Sequence, residues 1–275
     1  MYGVVTRNEP EVAWNEFDRA CYEVKDVTGR AAEPIEGAVN MVSCFGDNAA
    51  AERDPDLVPV SANGERATRD RPYFDWDYVC PSHEDYRAGL LETVADAAAA
   101  APDVRLDDVG FPRAEYCHCD RCEARFADSD HEEWGAWRTS VITDFVAEAR
   151  DLVPGDLLLT LYPDPYPGHL EARAGIDVDA LATHVDEFVV PIYDMAYTTT
   201  YWLEVIASGF ADRLARPFSV ELYAVNVDLD NLVTAIEVAE AYGESVLLGY
   251  DASNARAALR RMRADEREGV EHGGG

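Results

Sequence analysis

Between Val104 and Cys122 the chain reads VRLDDVGFPRAEYCHCDRC, which sets two adjacent carboxylates and three closely spaced thiols beside one arginine-bearing segment. Val104 and Leu106 alternate with Arg105 and Asp107, so in a strand the apolar pair shares one face and the charged pair the other. A carboxylate two residues from an arginine on the same face is favoured in its ionised form, which suits a nucleophile or a base. The run FSVEL repeats the pattern, with Phe218 and Val220 on one face and Ser219 and Glu221 on the other. Two such carboxylates facing one hollow can divide acid and base work between them. Glu221 is the candidate proton donor, and Asp194, at the end of EFVVPIYD, is its rival as the second acid. Asp108, Asp164, Tyr193 and Asp251 fall in the same layer of strand ends and, with Arg105, are candidate substrate-binding residues.

The thiols point to different chemistry. Cys117, Cys119 and Cys122 have a spacing that suits one tetrahedral ion, and Cys80, ending another strand-like run, is the candidate fourth ligand. Zinc held by four thiolates would be a closed, structural site that pins a long loop. Ligation through His118, or four free thiols without metal, are the alternatives. Cys21 reads as core on a helix's apolar stripe, and Cys44 ends a strand.

Positioning these groups requires strands that end at one rim. Eight strand-like runs alternate with helical ones: Gly3–Arg7, Ala38–Cys44, Phe74–Cys80, Val104–Asp107, Leu157–Tyr162, Glu187–Asp194, Phe218–Leu222 and Ser245–Tyr250. A helix carrying Val12, Trp14, Phe17, Cys21 and Val24 is expected after the first. Another is expected from Pro81 and Ser82, with Asp85 in capping-box position. Trp134–Leu152, the stretch from Trp202 to Leu214, Asn231–Tyr242 and Ala255–Arg263 supply the later helices. This rhythm predicts a single-domain α/β protein, a (β/α)8 barrel over residues 1–264. Residues 45–72 form a long loop over its mouth, with a short hairpin at LVPVSANGER, and 265–275 a disordered tail. An open doubly wound sheet is the competitor, but no glycine-rich phosphate loop follows the first strand.

Composition narrows the partners. A formal charge of −31, from 54 acidic and 23 basic residues with Lys25 the only lysine, reads as adaptation to molar salt and argues against nucleic acid. The opening MYGVVTR carries no signal peptide and no apolar run approaches a membrane span, so a cytoplasmic protein is expected.

The runs CPSHEDYR (Cys80–Arg87), VRLDDVGFPR and CHCDRCEARF (Cys117–Phe126) together resemble a group of glycoside-hydrolase-like barrel proteins. In that group a strand ending in Leu-Asp is followed by Phe-Pro and a C-x-C-x-x-C run. The resemblance continues through VVPIYDMAY (Val189–Tyr197). Arg105-x-Asp107 is also similar to the fourth-strand motif of the α-amylase-like barrels, whose Asp is the nucleophile. The resemblance implies a glycoside-hydrolase-like barrel; the strand-end carboxylates make Asp107, with Glu221 or Asp194, the pair that would cleave an oligosaccharide or small-molecule substrate, and no nucleotide or redox cofactor is expected. Such cleavage needs one carboxyl that stays ionised and one that keeps a proton. Two other functions fit the residues: a metal-assisted sugar isomerase with a cation on the mouth carboxylates, and a carbohydrate-binding barrel without catalysis.

Overall fold

The strongest local signal is a short run of apolar and β-branched residues, and such runs become the staves of a closed barrel. The computed structural model describes residues 1–272, with eight parallel strands paired in chain order and the last returning to the first. The strands are β1 (Tyr2–Thr6), β2 (Arg19–Lys25), β3 (Val39–Ser43), β4 (Val104–Asp107), β5 (Leu157–Thr160), β6 (Glu187–Pro191), β7 (Phe218–Tyr223) and β8 (Ser245–Gly249). Helices follow all of them but β2, which leads to β3 through irregular chain. Glu9–Val12 is α1, Asn48–Arg53 is α2, Glu84–Ala100 is α3, Asp120–Ala127 is α4 and Trp134–Leu152 is α5. After β5 come α6 (His169–Ala174) and α7 (Val178–Leu181), then α8 (Tyr201–Arg213), α9 (Leu229–Glu240) and α10 (Ala252–His272). The chain is thus a (β/α)8 barrel of one domain.

Strand parity sorts the side chains. Val5, Cys21, Val39, Met41, Leu158, Val189 and Leu247 make one cluster inside the barrel, whereas Val104, Leu106, Leu157, Leu159, Val220 and Leu222 belong to the larger core under the helices. Arg105 lies in register with Met41 and Leu158, and Glu221 with Leu247, so both charged residues take interior positions.

The expected strand count is right, but two of the expected elements are wrong. The second strand is Arg19–Lys25, inside the expected first helix, because RACYEVK alternates as well as it fits a helical stripe. Ala20, Tyr22 and Val24 pack outward with Trp14 and Phe17, and Cys21 is core as a strand residue, not on a helix. Conversely, Phe74–Cys80 is no strand. Its aromatic residues pack into the loop, Phe74 against Tyr78 and Tyr116, while its backbone bonds to other loop residues: Tyr78 N–H to Ala67, Val79 to Phe45 and Cys80 to Leu57. Irregular chain over the mouth therefore runs beyond residue 72, interrupted by α2 and a 3-10 turn at Pro55–Leu57. The hairpin is present, with Val60 bridged to Arg66 and Gly64 at φ +80°. The cap of α3 is His83, whose Nδ1 accepts from Tyr86 N–H, rather than Ser82. Helix α10 continues to His272 where a tail without order was expected; residues 273–275 lie outside those described.

The amino-terminal end of the barrel is closed by a polar plug. Arg19 binds both oxygens of Glu187, at 2.6 and 2.8 Å, and donates to Ser219 and Ser245, each at 2.9 Å. Removing the cation leaves a largely buried carboxylate with two hydroxyls in its place. Arg19→Ala is expected to lower unfolding free energy by roughly 3 kcal/mol, measured by urea denaturation, and Glu187→Gln should cost less because its amide oxygen, like Ser219 and Ser245, still accepts from the guanidinium.

Candidate functional site

At the opposite, carboxyl-terminal rim the interior face carries a charged centre. Arg105, 1% exposed, reaches along β4 and binds Asp107 through Nε at 3.0 Å, and its Nη2 lies 2.6 Å from Glu221 Oε2. The same Nη2 is 3.4 Å from Asp107 Oδ2, so the two carboxylates lie within about 6 Å of each other. Thr160 on β5 donates to Asp107 and accepts from Arg105 Nε at 2.9 Å. Tyr193, from the loop after β6, donates to Glu221 Oε1 at 2.5 Å. Glu221 is fully buried and Asp107 is 13% exposed, so the centre opens toward the mouth through Asp107. Burial pushes the Glu221 carboxyl up from its ordinary range, while Arg105 opposes the shift and Asp107 adds to it. Asp107 and Glu221 flank the guanidinium from either side and hold Arg105 far above its usual value against the effect of burial.

Asp108 sits one residue beyond the strand, where φ of +53° turns the chain. Its Oδ2 accepts from Ser43 Oγ at 2.6 Å. Burial, then the neighbouring Asp107 charge, raise this carboxyl to about 7, with Ser43 and Lys25 pulling the other way. It therefore carries a proton at mildly acidic pH.

Of the expected residues, Arg105, Asp107, Tyr193 and Glu221 come together, and Asp108 adjoins them on the side of Ser43. Asp194 does not: it is exposed, and its Oδ1 caps the loop by accepting from the Ala196 and Tyr197 N–H groups at 2.8 and 3.0 Å. Asp251 accepts from Asn254 N–H at 3.0 Å, at the start of α10. Asp164 lies in the β5–α6 loop, 3.1 Å from His169 Nδ1. Sequence reasoning missed Glu23, because it lay in the segment read as helix. On β2 it is buried, bound to Arg7 and 3.8 Å from Arg30, and burial raises its carboxyl. The alternation of Cys21, Glu23 and Lys25 was the available signal.

The four cysteines converge as expected. The sulfurs of Cys80, Cys117, Cys119 and Cys122 all lie within 4.8 Å of one another, with Cys80 and Cys122 at 3.4 Å. Four thiolates at Zn–S of about 2.3 Å stand roughly 3.8 Å apart, so the cluster has the dimensions of one tetrahedral ion. Backbone N–H groups of Val60 and Cys119 both donate to Cys117 Sγ at 3.4 Å, a donor set that favours a thiolate. Ser82 Oγ, 3.0 Å from Cys122 Sγ, completes the surroundings.

No protein-family model matches the chain, and no curated protein matches it. Solved structures do. An α-L-fucosidase isoenzyme 2 from Paenibacillus thiaminolyticus is similar at TM-score 0.62 and 10% identity, over 91% of this chain and 44% of that one. The Bacillus subtilis mannanase BCman is similar at 0.52 and 10%, over 94% and 84%, and a family GH18 chitinase from Cycas revoluta at 0.52 and 10%, over 94% and 97%. The chain spans less than half the length of the fucosidase. At such identities the similarity is one of fold, the barrel these glycoside hydrolases share.

The raised carboxyl makes a stability prediction with a definite sign. Between the unfolded value of 3.8 and about 7 the folded chain holds a proton that the unfolded chain has lost, so stability falls as pH rises through that window. Asp108→Asn should remove the penalty. Denaturation at pH 8 is expected to find the variant roughly 2 kcal/mol more stable than the parent, with the gain shrinking toward pH 4.

Proposed function

We propose that the chain is a retaining glycoside hydrolase whose reacting pair is Asp107 and Glu221. The observation that carries this reading is the single guanidinium shared by the two carboxylates, which holds them within about 6 Å. Retaining enzymes bring their two carboxyl groups to roughly 5–5.5 Å, and inverting ones need wider spacing for a water. One cation between two buried acids balances one negative charge. Asp107, with Arg105 and Thr160 both donating to it, is the ionised nucleophile, and Glu221, raised by burial, carries the proton to the leaving oxygen. After the leaving group departs, Glu221 becomes the base that takes a proton from the incoming water. Arg105 positions both groups and stays charged throughout.

A second assignment draws support from Asp108, which is partly exposed where Glu221 is fully buried and whose carboxyl burial raises to about 7. There Asp108 is the proton donor and Glu221, with Tyr193 and Arg105 at its two oxygens, the nucleophile. A mechanism-based fluoroglycoside separates the two: peptide mapping should find the trapped sugar on Asp107 under the first and on Glu221 under the second. In either case Glu221→Gln should reduce kcat on an activated aryl glycoside by at least about a thousandfold with the fold intact by circular dichroism. Activity near the parent level would remove the hydrolase reading.

The cysteine cluster fits a structural zinc in this reading. Cys80, Cys117, Cys119 and Cys122 would hold the ion, which when bound supplies a cross-link and no step of the reaction. The residues themselves join the hairpin loop to the strand β4 loop, since His118 N–H bonds to Val60 O at 2.6 Å and Ser61 bridges Tyr116. Metal analysis of purified protein should find one zinc per chain. Stripping it with a strong chelator under denaturing conditions should free the four cluster thiols, and refolding without metal should lower Tm by several degrees.

A further inference from the structure

At the carboxyl-terminal end of the barrel, between the loop after β5 and the first turns of α8, lies a cavity of about 720 Å³. Tyr162, Tyr166 and Trp202 line it, with Asp164, His169 and Arg173 as its polar groups. Trp202 is 67% exposed and Tyr166 63%, so two large aromatic faces stand open at the catalytic rim of the barrel. The wall is organised rather than loose. Asp164 accepts from Tyr166 N–H at 3.1 Å while it binds His169, which in turn packs against the Tyr166 ring at 5.3 Å. Helix α8 comes so close that a Cβ at Gly209 would stand 2.8 Å from the Pro165 ring. Tyr162 in the cavity wall lies two residues beyond Thr160, the β5 residue that donates to Asp107, and its hydroxyl is 3.5 Å from that of Tyr78.

We propose that this cleft binds the part of a neutral oligosaccharide that extends beyond the bond at the Arg105 centre. The inference rests on the glycosidase reading of that centre and deepens it. Open aromatic faces match the C–H faces of pyranose rings, and the Asp164–His169 pair offers an acceptor and a donor for their hydroxyls. The volume lies within the range of small-molecule sites. The Arg173 guanidinium is stacked over the Tyr162 ring at 4.8 Å, and the chain's charge of −31 repels polyanionic glycans, so neutral chains are favoured.

The test uses Asp107→Asn protein, which binds without turnover, titrated calorimetrically with cellohexaose, mannohexaose, chitohexaose and an oligogalacturonate of equal length. At least one neutral hexasaccharide is expected to bind, and adding Trp202→Ala should weaken it by about tenfold, with Tyr166→Ala acting in the same direction. Binding by none of the neutral sugars, binding indifferent to both substitutions, or preference for the oligogalacturonate would each overturn the proposal. Trp202-dependent binding together with failure of the parent protein to cleave the bound sugar would instead remove the hydrolase reading and leave the cleft standing.

Discussion

Arg105 is the constraint around which the barrel is arranged. A guanidinium 1% exposed inside a parallel barrel is costly to desolvate, by several kcal/mol, unless carboxylates meet it with good geometry. Asp107 comes from its own strand, Thr160 from the next and Glu221 from β7 across the barrel. The register of β4 against β5 and the closure of the sheet must both be right for these contacts to exist together. The charged centre thus ties the chemistry of the rim to the topology of the fold, and the apolar cluster of Val5, Cys21, Met41, Leu158 and Leu247 lies within the same barrel.

The mouth poses the opposite problem. The irregular chain between β3 and α3 cannot satisfy its backbone through a regular ladder, so its groups find partners one at a time, as Tyr78 N–H does at Ala67, Val79 at Phe45 and Cys80 at Leu57. Asp47 illustrates the density of these bonds: one oxygen caps α2 through Ala50 N–H, and the other accepts from Tyr86 and pairs with Lys25 at 3.1 Å. At Cys80 the end of this segment meets chain from beyond β4, where Cys117, Cys119 and Cys122 bring their sulfurs within 4.8 Å of its own.

Much of this was legible in residue order. The later strands, from β4 to β8, follow the runs that alternation and apolar continuity marked, β7 alone running one residue further to Tyr223, and strand parity alone brought Arg105, Asp107 and Glu221 inside. The early barrel was harder. RACYEVK satisfies a period of two and, together with Trp14 and Phe17, a period near 3.6, and pattern cannot choose between them. FDWDYVC alternates because its rings fill a loop core, not because it pairs. The two misreadings cancel in the count. A carboxylate at the end of an apolar run also carries no mark of whether the chain has already turned: Asp107 is still on the barrel, whereas Asp194 and Asp251 serve the loops that follow.

The acidic exterior has left one amine-bearing side chain, and the fold has drawn it inward. Lys25 extends from β2 to the carbonyl of Ser43 at 2.9 Å and to Asp47, and is 12% exposed. Apart from the α-amino group of Met1, the protein offers amine-selective reagents a single address, and it stands at the entrance to the barrel. A reporter attached there would sense that entrance, with no other lysine to add background.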